Sequence, residues 1–238
     1  MLLDDQVSLA KYNQHIINKF ENFLSKFAQG PADSVVDFGA GVGTLASLWF
    51  EKNGVKPVCI ELDPKQRELL LLKGYATQPQ IESLKEPVDI IYTSNVLEHI
   101  QDDLKALVEI RQQLVPRGLL LIYVPAFQFL FSELDTAVGH FRRYNRRSLS
   151  KVLDSAGFKV VHSEYADSLG VLATLVIKMI GFQKKHSVGN QKSIALYDKY
   201  IFPISRTLDS MLFRSFLGKN LFVVAVNEER MRGNENES

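Results

Sequence analysis

Cysteine is almost missing from this chain of 238 residues, Cys59 being the only one. That excludes an internal disulfide and any cysteine cluster for a metal, and within an apolar stretch Cys59 is expected as a buried core thiol. An excess of either charge is also missing: 28 Lys and Arg stand against 27 Asp and Glu, a formal net charge of +1. Such a balance leaves no electrostatic footprint for nucleic acid, so no nucleic-acid partner is expected. No internal repeat or low-complexity linker interrupts the chain. The N-terminal Met1-Leu-Leu-Asp-Asp5 lacks the cationic region and apolar core of a secretory signal, which favours a cytoplasmic protein. With 46% hydrophobic and 23% charged residues, one large globular domain is the simplest division.

The most informative stretch that is present is Ser34-Val-Val-Asp-Phe-Gly-Ala-Gly-Val-Gly-Thr44, an apolar strand running straight into Gly39, Gly41 and Gly43. Glycines at such a turn supply positive φ angles and let backbone approach a ligand closely, and the following helix start presents free N–H groups. The dinucleotide fingerprint places its third glycine three positions after the second. Here Thr44 holds that place and Gly43 comes one residue early, while Asp37 lies two places before the first glycine. A second strand, Val58-Cys-Ile-Glu-Leu-Asp-Pro64, ends on Glu61 about twenty residues further on, where a carboxylate can accept both ribose hydroxyls of a nucleoside. Asp63 followed by Pro64 reads instead as the N-cap of a helix over 65–73.

A short third strand is expected near Tyr75 to Thr77 and a fourth at Val88 to Asn95, followed by Val96-Leu-Glu-His-Ile100. The D-x-G-x-G-x-G turn together with the N-V-L-E-H-I segment resembles the class I S-adenosylmethionine (SAM) dependent methyltransferases, in the type 11/12-like group that includes the ubiquinone-pathway enzymes. The resemblance covers about Val35 to Tyr165 and returns at the last strand. It implies a Rossmann-like, doubly wound α/β sheet of seven strands in the order 3-2-1-4-5-7-6, with strand 7 antiparallel. It also implies SAM as cofactor, held by Asp37, Gly39, Ala40, Gly41, Gly43, Glu61, Leu62, Gln80, Ile81 and Asn95. The family often sets an acidic side chain against the adenine after strand three, and Gln80-Ile81-Glu82 offers an amide there.

Leu9, Tyr12, Ile16, Phe20, Phe23 and Phe27 recur at helical steps before the Gly30-Pro31 break, a first helix that covers one edge of the domain. The resemblance suggests that Tyr12 or His15 reaches the site. Helix 102–114 and a break at Pro116-Arg-Gly118 precede a fifth strand, Leu119 to Ala126, whose continuous apolar run suits burial on both faces. Then comes Phe127 to Ser148, a long segment at the carboxyl edge of the sheet. Within the same resemblance its D-x-x-x-G-H-x-R-R-Y stretch marks a subgroup with a GHFRRY segment that often handles small-molecule or lipid-linked acceptors. Methyl transfer from a sulfonium is an in-line displacement, so the protein mainly aligns the acceptor and excludes water. A hydroxyl or ammonium acceptor must also lose a proton, for which His140 or His99 is the expected base, with Tyr144 beside them. A carboxylate acceptor needs an arginine clamp, and Asp135, Arg142 and Arg143 are the expected substrate-binding set. The alternative for this segment is an ordered wall in which Asp135 pairs with an arginine. Arg146 and Arg147 are expected on the solvated first turn of a helix over 147–156. No compact His and carboxylate ligand set is visible along the sequence, so no metal is expected.

Strands six (Phe158 to Tyr165) and seven (Asn220 to Asn227) are separated by roughly fifty residues where the basic fold has a short connection. Leu169 to Phe182 is apolar on nearly all sides but too short to span a bilayer, which takes about twenty residues. A second stripe runs through Tyr197, Ile201, Ile204, Leu208 and Met211, with a kink expected at Pro203. A lid over a greasy substrate, a homodimer contact and a peripheral membrane patch supported by Lys184, Lys185 and Lys192 are the three uses open to this insertion. The expected organisation is a helical cover over 1–30, a methyltransferase domain over 31–228 containing the insertion 168–216, and a disordered tail over 229–238. The expected activity is methyl transfer from SAM to a small-molecule, lipid-like or peptide acceptor, on oxygen first. The alternatives are an NAD(P)-dependent oxidoreductase and a non-catalytic binding or scaffold protein of the same fold.

Overall fold

A computed structural model describes residues 9–27, 33–180 and 195–228. The described residues form a seven-stranded sheet in the order β3-β2-β1-β4-β5-β7-β6, where β1 is Val35–Phe38, β2 Val58–Ile60, β3 Thr77–Gln78, β4 Val88–Ser94, β5 Leu114–Pro125, β6 Phe158–Ala166 and β7 Asn220–Asn227. Neighbours from β3 to β5 are parallel, and β7 runs antiparallel between β5 and β6. The expected topology is therefore the observed one. β1 has β2 on one side and β4 on the other, so the chain reverses its direction of winding at the β1/β4 crevice, the place where ligands bind in open α/β sheets.

Alternation along the strands sends successive side chains to opposite faces. Val35, Ile90, Tyr92, Leu121 and Tyr123 join one core, with Tyr12, Ile16 and Phe20 of helix α1 (Ala10–Phe27) and Trp49 of α2 (Thr44–Asn53). Val36, Ile91, Leu120, Ile122 and Val124 join the other, with Leu107 and Ile110 of α4 (Asp103–Gln112) and Leu149 and Leu153 of α6 (Arg146–Ser155). Helix α3 (Pro64–Leu72) drops Leu70 onto Cys59 and Ala46 in a smaller cluster, and Cys59 is the buried thiol expected. Asp63 caps α3 by accepting from Lys65 N–H at 2.8 Å, and Pro64 sits at its first turn.

β5 begins earlier than the apolar run suggests. Leu114 pairs with Val88 before the register shifts and Leu119 pairs with Ile90, so Pro116-Arg117-Gly118 is a bulge rather than a break. Arg117 takes a left-handed φ of 64°, and a Cβ on Gly118 would meet Val115 O at 2.9 Å.

The insertion adds helix α7 (Ser168–Ile180) and, from residue 195, a helical segment centred on α8 (Phe202–Leu208) with wide π-type turns at Tyr197–Ile201 and Asp209–Phe213. Phe182, Lys184, Lys185 and Lys192, like the expected tail 229–238, lie outside the described residues.

Three buried aspartates tie the insertion to the domain. Asp198 accepts from the backbone N–H groups of Lys11 and Tyr12 at 2.9 and 2.8 Å, capping α1 from 186 residues away. Asp209 accepts from Asp167 and Ser168 N–H at 2.6 and 3.0 Å, at the start of α7. Asp167, held at a left-handed φ of 64°, receives the Tyr197 hydroxyl at 2.6 Å and lies 3.3 Å from Lys219 Nζ. Carboxylates suit helix starts because the first N–H groups have no partner within the helix.

Candidate functional site

The glycine loop fills one side of the crevice. Gly39, Gly41 and Gly43 all take positive φ, at 82°, 57° and 80°, conformations in which a Cβ is strained. Gly39 also has no room for one: a Cβ there would lie 2.3 Å from Val96 Cγ2, across the crevice after β4. The end of β2 braces the loop, with Gly39 and Ala40 N–H donating to Ile60 O at 2.9 and 3.1 Å. Glu61 completes the brace. Its Oε2 accepts from Gly41 N–H at 2.8 Å and its Oε1 from Asp63 N–H at 2.9 Å.

Beneath the loop, Asp37 is buried and its Oδ2 has no hydrogen-bond partner among the described residues. Burial pushes its carboxyl up to about 7. Leu62 stands exposed on the rim beside Glu61, Gln80 is exposed after β3, and Ile81 is buried beneath it. Across the crevice Asn95 adopts a left-handed φ of 54°, which asparagine tolerates better than most residues. Its N–H donates to Tyr123 O at 2.8 Å, and its side-chain amide donates to Ser94 Oγ at 3.1 Å.

The residues after β4 and β5 meet in a second group. His99 ends a single helical turn, Leu97–His99, and its ring lies edge-on to His140 with centroids 4.5 Å apart. Burial and the neighbouring His140 lower its pKa. His140 follows helix α5 (Glu133–Val138), and its Nδ1 lies 2.8 Å from Asp135 Oδ1. Asp135 also accepts from Arg143 Nε at 2.8 Å and Nη2 at 3.1 Å, and from Ser132 N–H at 2.9 Å. Burial acts to raise the Asp135 pKa, but the donors from His140, Arg143 and Ser132 outweigh it and hold the carboxyl down at about 2. An ionised Asp135 fixes the proton of a neutral His140 on Nδ1 and leaves Nε2 as the basic nitrogen.

Glu98 is the residue that sequence reasoning misses. It is fully buried, neither carboxylate oxygen has a hydrogen-bond partner among the described residues, and Oε1 lies 3.9 Å from His140 Nε2. Burial raises its pKa to about 8. The available signal is a glutamate directly after the apolar Leu97 and followed, past His99, by Ile100. Glu98, His99 and His140 bring ligand-type atoms within 4.8 Å of one another, a compact set that their separation along the chain conceals.

Several expected roles change. Tyr144 is buried, its hydroxyl donates to Asp103 at 2.8 Å, and it forms a bridge with Ala126, so it pegs the segment to β5 rather than facing a reactant. Arg142 pairs with the same Asp103 at 2.7 Å. With Arg143 held by Asp135, both arginines already have carboxylate partners within the chain and are not a free carboxylate clamp. Arg146 is half-buried rather than fully solvated: it donates to Ser215 O at 2.6 Å and Ser163 O at 3.0 Å and lies over the Tyr165 ring. Arg147 is exposed as expected. Tyr12 packs edge-on to Tyr123 at the carboxyl end of β5, whereas His15 packs on Phe202, and burial lowers its pKa to about 3.

The chain matches the sequence profile of the methyltransferase-domain family over residues 9–163, and it belongs to that family. A search of curated proteins returned no match. Among solved structures, the fold is similar to that of a SAM-dependent methyltransferase from Archaeoglobus fulgidus, with a TM-score of 0.57, 15% identity and 90% of this chain aligned to 94% of that one. It is also similar to a chain from the complex of the Haloferax volcanii Trm112 methyltransferase activator with a methyltransferase, with a TM-score of 0.60, 14% identity and coverage of 96% and 92%. Phosphoethanolamine N-methyltransferase 2 of Haemonchus contortus, solved with SAM, gives a TM-score of 0.59 at 18% identity, 89% of this chain spanning 53% of that one. Together with the strand order, these define the class I SAM-dependent methyltransferase fold. The antiparallel β7 and the family match set aside the oxidoreductase alternative.

Proposed function

We propose that the chain transfers a methyl group from SAM to a small-molecule, lipid-like or peptide acceptor, with oxygen as the accepting atom. One observation carries this reading: the glycine loop braced by Glu61 and the titratable group of Glu98, His99 and His140 share the carboxyl edge at the β1/β4 crevice.

The residues present fit SAM. Glu61 uses one acceptor site on each oxygen for the N–H groups of Gly41 and Asp63, and a carboxylate has about four such sites, so acceptor capacity remains for ribose hydroxyls. Gly39, Ala40, Gly41 and Gly43 would hold the amino-acid end against open backbone, with Asp37 beneath them. Leu62 would provide apolar contact for the base, with Gln80 and the Ile81 backbone at its edge and Asn95 across the crevice. Bound there, SAM supplies a methyl group on a sulfonium, and it leaves as S-adenosylhomocysteine.

The chain's own chemistry is then to align the acceptor and take its proton. Asp135 orients His140 so that Nε2 is free to accept that proton, with His99 alongside. Glu98, whose pKa burial raises to about 8, is placed to exchange a proton with His140. Calorimetry with SAM, S-adenosylhomocysteine and NAD tests the cofactor half, and methyl-labelled SAM offered with phenols, apolar acids and amines tests the acceptor half. Selective SAM binding and label on oxygen support the reading. Label on nitrogen or carbon overturns the choice of atom, and absence of SAM binding favours the non-catalytic alternative.

A further inference from the structure

The insertion sorts its charges by sign. Of the acidic groups that hold it, Asp167, Asp198 and Asp209 are all buried, each engaged by backbone N–H groups or by Tyr197 and Lys219. Between residues 168 and 216 the sequence contains no other carboxylate. Every exposed charge on its described part is a cation: Lys178, Lys199, Arg206 and Arg214. The same surface is apolar to an unusual degree. Leu172, Val176 and Met179 follow one stripe of α7, and Tyr200, Ile204 and Met211 follow one stripe of the second helical segment, all exposed, with Met179 at 85% and Met211 at 71%. The opposite sides carry the buried Val171, Phe202, Ser205 and Asp209. The two helical segments are joined where Leu169 N–H donates to Ser205 Oγ at 3.0 Å.

We propose that this surface docks on an anionic lipid bilayer, lying in the headgroup layer without crossing it. Exposed apolar side chains among cations, with no exposed acid among the described residues of the insertion, match an interfacial surface that combines burial of apolar area with attraction to anionic headgroups. No described helix is long and apolar enough to cross a membrane. A second copy of the chain is a poor occupant, because a two-fold interface sets the same patch against itself and would face cation against cation. The inference concerns one surface and holds whichever acceptor the active site takes.

Vesicle co-sedimentation of the full chain tests it, with phosphatidylcholine alone and with phosphatidylcholine mixed with phosphatidylglycerol. Binding to the anionic vesicles alone, weakened by salt, is expected. Lys199→Gln and Arg206→Gln should each lower the partition coefficient about fivefold, and Met179→Asp with Met211→Asp should abolish binding. SAM affinity, measured on each variant, should stay unchanged, which separates loss of docking from loss of fold. Equal binding to both vesicle types, or variants that bind like the parent, overturns the proposal. So does absence of binding to the anionic vesicles, and a dimer in light scattering that Met211→Asp splits would then assign the patch to a second copy.

Discussion

His140 Nδ1 lies 2.8 Å from Asp135 Oδ1, five residues away, and this contact leaves the other ring nitrogen without a hydrogen bond among the described residues, 3.9 Å from the nearer oxygen of Glu98. A short helix makes the pairing possible. Ser132 opens α5 by donating its N–H to Asp135, and Gly139 closes it at a φ of 88°, which returns His140 over the first turn.

Replacing His140 by Ala should lower kcat by about a hundredfold or more while SAM affinity in calorimetry stays within error. Turnover equal to the parent enzyme would remove His140 from the reaction.

Asp135→Asn should cost about 3 kcal/mol, since it leaves the largely buried Arg143 without its counter-charge. The sign with pH follows from a folded pKa below the ordinary 3.8. Asp135 contributes stability fully above that ordinary value, and the contribution is lost as pH falls toward about 2. Urea denaturation of parent and variant should therefore converge in strong acid.

Glu98 predicts the opposite slope. Its folded pKa is raised from 4.5 to about 8, so the unfolded chain releases this proton first. Stability from this group is whole below about 4.5 and declines up to about 8. Glu98→Gln should raise the melting temperature relative to the parent more at alkaline pH than at mildly acid pH. A difference independent of pH would contradict the buried, protonated state.

Asp198→Ala should destabilise the domain by about 1 kcal/mol, the usual scale for losing a helix N-cap. Amide exchange at Lys11 and Tyr12 should accelerate, because their N–H groups lose the carboxylate that accepts them. Unchanged exchange would show that the insertion does not hold α1.

The parts of the fold legible in the sequence are those set by local pattern. Asn220 to Asn227 reads as a strand because apolar residues fill it almost from end to end, and β7 occupies those residues. The glycine turn and the end of β2 are likewise local, so Glu61 could be chosen over Asp63, whose Pro64 marked it as a helix cap. What was not legible depends on long-range meetings. The commitments of Arg142 and Tyr144 to Asp103, of Arg146 to Ser163, and of Glu98 to an unpartnered burial near His140 follow from how the segments after β4 and β5 fold together. Spacing along the chain carries no record of those meetings. The tie between Asp198 and α1 is of the same kind, because residues 186 apart are joined only once the insertion packs.

The central claim is tested most directly at Gly41, whose N–H donates to Glu61 and whose φ of 57° disfavours a side chain. SAM binding to Gly41→Leu, measured by calorimetry beside the parent, should fall by about a hundredfold or more while the circular dichroism spectrum is retained. Unchanged SAM affinity in a folded Gly41→Leu variant would contradict the assignment of this loop as the cofactor site.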